Sequence, residues 1–199
     1  MICILVSGCQ SSSNGKAIPD TYATSVEVTK KFNGSDYLMM GKEGNQAIET
    51  MAKKADLIII GQVMTAGSLY QEEVKSDNPK MYEKYPEITK ISLAQFTIKI
   101  DQTLYGDTSL KEIQFGQIGV PGDDRGTTKV KQNDKMVLLL MKDQVSGKYY
   151  SVAFEDALFT VSNENKVMSM SNEAQLMKYD NTDLGLLLGE ITQAVSAKK

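Results

Sequence analysis

The chain predicts a mainly β fold with flanking helices, an α+β arrangement built around a five- to six-stranded antiparallel barrel. Three observations carry this. Residues 93–101 alternate: Ala94, Phe96, Ile98 and Ile100 stand against Leu93, Gln95, Thr97, Lys99 and Asp101, which gives a strand one dry face and one wet face. Two short runs, Leu57-Ile58-Ile59-Ile60 and Met136-Val137-Leu138-Leu139-Leu140-Met141, are apolar throughout, as strands covered on both faces are. Turn signals separate the apolar segments at Tyr105-Gly106-Asp107, Ser146-Gly147 and Asn163-Glu164-Asn165.

The elements follow in order. Thr21 to Val28 alternates and reads as a strand, with a turn at Asn33-Gly34-Ser35. Asn45 to Ala55 reads as a helix, because Ile48, Met51, Ala52 and Ala55 recur at i, i+3, i+4 and i+7. Glu49 near its start and Lys53 and Lys54 at its end suit the helix dipole. Ala55 to Met64 is the first buried strand, and Gly61 inside it marks a bulge or a sharp bend. Residues 68–87 are polar and contain Pro79 and Pro86, so an excursion between strands is expected there. Strands are expected at Ile88 to Leu104, Lys111 to Gln117, Asp134 to Met141 and Tyr149 to Phe154, with a loop from Ile118 to Lys129. Ala157 to Val161 and Lys166 to Met170 read as a closing hairpin. Thr182 is placed to cap a last helix whose Leu184, Leu187, Leu188, Ile191 and Val195 form one apolar stripe. Such a stripe is expected to face the core of its own domain.

The amino terminus carries the most specific motif. An apolar run, Met1 to Val6, ends in Ser7-Gly8-Cys9 and passes into Gln10 to Lys16, which has no apolar residue. Val6-Ser7-Gly8-Cys9 resembles the lipobox of bacterial lipoproteins: a branched apolar residue, two small residues that let a peptidase grip extended backbone, and an acceptor cysteine. The resemblance implies that Cys9 is acylated and becomes the first residue of the mature chain, tethered to the outer face of a bacterial cell membrane. The apolar run is shorter than a secretory signal needs and no Lys or Arg precedes it, so residues 1–8 are read as the remnant of a longer signal. Residues 9–20 are then the lipidated cysteine and a flexible tether, and residues 21–199 a single domain. The competing reading is a buried terminal strand with Cys9 as an ordinary core thiol; the polar tail weighs against it.

Composition removes whole classes of chemistry. The mature chain of about 190 residues, at 41% hydrophobic residues, can bury one core. A net charge of −3 offers no basic footprint, so no nucleic acid is expected as a partner. There is no histidine, which excludes Ser-His-Asp and Cys-His catalysis and His-ligated zinc. The two cysteines are Cys3 and Cys9, so the mature domain holds no free thiol and no disulfide. No cofactor is expected, and an enzyme is not the favoured reading.

Ala55-Asp56-Leu57-Ile58-Ile59-Ile60-Gly61-Gln62-Val63, then Gln102-Thr103-Leu104-Tyr105-Gly106-Asp107, then Asn133-Asp134-Lys135-Met136-Val137-Leu138-Leu139-Leu140, resemble in order three motifs of small secreted bacterial domains. Those domains are similar to OB-fold and netrin-like barrels. Over roughly residues 45–170 the resemblance implies an OB-like barrel, and it implies no activity.

Candidate sites remain open between two readings. In the Gly-rich segment Gly116 to Gly126, Asp123 and Asp124 offer oxygen donors for a hard cation; a plain strand connection that needs Gly for positive φ is the favoured alternative. Glu155 and Asp156 are adjacent, and adjacent strand residues face opposite ways, which makes a poor chelate. Glu72 and Glu73 read as solvated charge. Tyr82, Tyr85, Tyr149 and Tyr150 look exposed and are candidates for stacking on a sugar or peptide, or else for packing the long excursion onto the barrel. The expected function is a membrane-anchored binding or interaction module for an envelope protein or glycan. A carboxylate-dependent envelope hydrolase, or a structural or inhibitory protein acting through protein contacts, is the alternative.

Overall fold

The structure is a computed structural model and describes residues 47–73, 90–119, 129–144 and 146–198. The expected strand at 21–28, the tether, the turn at 33–35 and the prolines of the excursion lie outside the described residues.

The elements are α1 (Ile48–Lys54), β1 (Leu57–Val63), β2 (Ser68–Glu73), β3 (Lys90–Tyr105), β4 (Glu112–Ile118), β5 (Lys135–Lys142), β6 (Tyr149–Ser151), a 3-10 turn (Phe154–Ala157), β7 (Leu158–Val161), β8 (Lys166–Ser169), α2 (Ala174–Met177), β9 (Thr182–Asp183) and α3 (Leu184–Ser196). Strands β1, β3, β4, β6 and β5 pair in that order, and β5 returns to β1 to close a five-stranded barrel. This is an OB-like barrel, mainly β, with a short helix before its first strand and a helix at its end. Four of the pairings are antiparallel and β4–β6 is parallel, with Phe115 opposite Tyr149 and Gly116 opposite Tyr150. The barrel is therefore mixed, where an antiparallel one was expected. The reason is geometric: strand direction cannot alternate all the way round a closed ring with an odd number of strands.

Period-two alternation sorts the side chains. Leu57, Ile59 and Val63 of β1, Ala94, Phe96 and Ile98 of β3, Ile113 and Phe115 of β4, and Met136, Leu138 and Leu140 of β5 fill the barrel. Phe96 and Phe115 stack there with ring centroids 6.2 Å apart. The other faces of the two apolar strands, Ile58 and Ile60 of β1 and Val137 and Leu139 of β5, belong to a second core outside the barrel. It is closed by Ile48, Met51 and Ala52 of α1, by Leu187, Ile191 and Ala194 of α3, and by Phe159, Val161, Val167, Leu176 and Tyr179. That is why these two runs have no polar face. The stripe on α3 packs on its own domain, as its spacing predicts.

Some boundaries differ from the sequence reading. Residues 68–73 form β2, which pairs with residues 90–95 of β3, so the expected excursion does not begin at 68. The register of β1 on β3 slips between Ile60 and Gly61, the expected bulge. A Cβ at Gly61 would lie 2.6 Å from the Lys99 carbonyl oxygen. The strand expected through Phe154 ends at Ser151, because Phe154 adopts φ 49° and opens the 3-10 turn. Asp183 caps α3 by accepting from the Gly185 N–H, while the Thr182 hydroxyl donates to the Tyr179 carbonyl at 2.6 Å. The hairpin β7–β8 forms as expected.

Candidate functional site

The outer surface of the barrel is divided by chemistry. Helices α1 and α3 lie over β1 and β5. The outward side chains in the middle of β3 and β4 are polar instead. Gln95, Thr97 and Gln114 are half-buried, and Lys99 and Glu112 beside them are exposed. Gln95 Nε2 donates to Gln114 Oε1 at 2.7 Å, and Gln114 Nε2 donates to Thr97 Oγ1 at 3.1 Å. The pairing of Gln95 with Gly116 and of Thr97 with Gln114 across the two strands places these groups on one face. Each amide carries two N–H donors and two acceptor lone pairs, so the ladder fixes the orientation of both amides and does not use all of their hydrogen-bonding capacity.

One end of this face is aromatic. Tyr70 of β2, Leu93 of β3 and Tyr150 of β6 form a small cluster, with Ile118 and Phe154 packed against it. It sits over Gly116, where an added Cβ would lie 2.4 Å from Tyr150 Cε1 and 2.9 Å from Tyr70 Oη. The two phenol oxygens are 3.3 Å apart, and Lys148 Nζ stands 3.9 Å from the Tyr70 ring centroid. Tyr150 is 2% exposed, and Tyr149, which belongs to the barrel interior, is 8% exposed. The exposure expected of these two rings is thereby corrected: β6 is covered on both faces, by the barrel core on one and by Tyr70 on the other. Burial, then the charges of Asp107 and Asp56, push the Tyr149 phenol above its usual range. Asp56 anchors the same barrel end by accepting from the Lys142 N–H at 2.9 Å.

A cleft of about 440 Å³ between α1 and α3 is lined by Ile48, Glu49, Glu190, Gln193, Ala194 and Ala197. Both acids are engaged. Glu49 is 2.6 Å from Lys53 Nζ, and that hydrogen bond, with the charge behind it, holds the carboxyl below its usual range. Glu190 accepts from the Tyr179 hydroxyl and lies 3.3 Å from Lys178 Nζ. Asp156 accepts from the Ser171 hydroxyl. It and Glu155 sit in the 3-10 turn, where strand alternation had been expected to part them. Among the described residues, no three His, Cys, Asp or Glu side chains are grouped to hold a metal ion, and no helix is long and apolar enough to cross a membrane.

Cys9, Tyr82, Tyr85, Asp123 and Asp124 lie outside the described residues. The amide ladder was not singled out from the sequence, although the signal for half of it was present: the wet phase of β3 holds Gln95 and Thr97. Gln114 needed the β3–β4 register. No protein-family model matches the chain, and no curated protein matches it.

Proposed function

We propose that this chain is a lipid-anchored module on the outer face of a bacterial cell membrane that binds a glycan or an envelope protein and does not transform it. The observation that carries the reading is Val6-Ser7-Gly8-Cys9, followed by a polar tail with no apolar residue up to Lys16. Acylation of Cys9 supplies several hydrocarbon chains, and more than one chain is needed for a durable hold on a bilayer. The polar β3–β4 face is the binding surface. Barrels of this type present the face of their second and third strands, with adjoining loops, to extended ligands. Here those strands are β3 and β4, and Gln95, Gln114 and Thr97 offer oriented hydrogen-bonding groups to hydroxyls or backbone amides.

Among the described residues, Glu49 of the α1–α3 cleft is held below its usual range by Lys53, the opposite of the raised value a general acid needs at neutral pH. The test of the anchor is metabolic labelling with a fatty-acid analogue in a bacterial host. The native chain takes the label and Cys9→Ala does not; equal labelling, or none in either, contradicts the reading. A glycan array and a pull-down with the soluble chain from Lys16 onward then define the ligand class. Loss of the signal in Gln95→Ala/Gln114→Ala supports the assigned face, and undiminished binding refutes it.

A further inference from the structure

Among the described residues the methionines span the full range of exposure, with Met141 and Met170 partly to largely buried. Met64, Met168 and Met177 are 44%, 47% and 49% exposed, whereas Met51 and Met136 are fully enclosed. A thioether is a soft nucleophile that takes oxygen from a hydroperoxide, and its rate follows its exposure. The chain has no histidine and no tryptophan, and its cysteines are Cys3 and Cys9. Among the described residues, thioether sulfur is therefore the group most open to two-electron oxidation.

We propose that Met64, Met168 and Met177 are surface modification sites for hydroperoxides, and that the domain accepts oxygen there without losing its fold. In each case a sulfur lone pair attacks one peroxide oxygen. The S–O bond forms, the O–O bond breaks, and the departing oxygen takes up the peroxide proton. With hydrogen peroxide the leaving product is water; sulfur loses two electrons and the peroxide gains them.

The backbone at each site is held independently of the side chain. The Met64 N–H donates to the Thr97 carbonyl at 2.8 Å, and the Met64 carbonyl accepts from Gln132 Nε2 at 3.0 Å. Met168 sits in the β7–β8 ladder opposite Thr160. The Met177 N–H donates to the Glu173 carbonyl and its own carbonyl accepts from the Asp180 N–H, both at 3.0 Å. A sulfoxide on these side chains enters water. The same oxygen on Met51 or Met136 would place an unpaired dipole in a core.

The experiment treats the full chain with dilute hydrogen peroxide and follows the peptides that contain residues 51, 64, 136, 168 and 177 by mass spectrometry, with circular dichroism and thermal melting on the same samples. Peptides with Met64, Met168 and Met177 gain oxygen on the order of tenfold sooner than those with Met51 and Met136, whose reaction must wait for local opening. The spectrum and the melting midpoint stay unchanged while the exposed sites fill. Oxidation of Met51 or Met136 at the same rate, or a midpoint that falls as the exposed sites fill, overturns the proposal.

Discussion

Two positions show how tightly single residues are set. Gly116 is required by the rings above it: the β4 backbone passes so close to Tyr150 and Tyr70 that no Cβ fits. Rings wedged between strands cannot move aside cheaply. Gly116→Ala is expected to cost about 1–3 kcal/mol through overpacking, read as a lower denaturation midpoint with an unchanged m-value. Tyr179 is fully buried, stacked edge-on against Phe159 at 5.9 Å, and donates its hydroxyl to Glu190. Burial first, then that hydrogen bond and the charge of Glu190, raise its phenol above the ordinary value near 10. The folded state therefore keeps a proton that the unfolded state releases. This stability is intact below pH 10 and is lost as pH rises from there toward the folded pKa, by up to about 1.4 kcal/mol per pH unit for one proton. Tyr179→Phe should melt at a lower temperature at pH 7, by about 0.5–1.5 kcal/mol for the lost hydrogen bond, and should show a shallower decline above pH 10.

At the scale of elements, α3 is the second wall of the outer core. Leu187 and Ile191 are fully buried against α1 and the backs of β1 and β5, while Leu186 on the same helix is 52% exposed. Leu187→Ala or Ile191→Ala should cost about 2–5 kcal/mol by leaving a cavity, and Leu186→Ala should stay within about 0.5 kcal/mol; urea titration of the three variants decides it. The elements that were legible in the sequence are those whose burial is patterned locally. The alternation of β3, the unbroken apolar runs of β1 and β5 and the 3.6-residue stripe of α3 follow from which faces meet a core, and the bulge in β1 is marked by the glycine it needs, Gly61. What was not legible depends on partners distant in sequence. Strand β2 has only Ser68 to Glu73 to announce it, and its polar end gives no alternation; it exists because residues 90–95 offer an edge to pair with. Nothing in the sequence next to Tyr149 and Tyr150 shows what covers them. Their burial comes from the parallel pairing with β4 and from Tyr70, 80 positions away from Tyr150.

The described residues form a closed ring with one core inside the barrel, one outside it, and the small Tyr70–Leu93–Tyr150 cluster beside them. Closure removes free edges from the barrel strands. The added β7–β8 hairpin ends in the two-residue β9, with the Asn181 and Leu184 N–H groups bonded to the carbonyls of Val167 and Asn165. A short, capped edge of this kind resists pairing with another chain. The proposed anchor at Cys9 would give the proposed β3–β4 binding face a fixed location at a membrane, which the described surface does not itself supply. The amide ladder was half visible from the sequence, since alternation marked Gln95 and Thr97 as outward while the register that brings Gln114 between them was not. The most direct test of the account is the mass of the amino-terminal peptide of the full-length protein purified from a bacterial host. The account predicts a peptide beginning at Cys9 and heavier than its sequence by a diacylglyceryl group. An unmodified Cys9 within an uncleaved peptide would contradict it.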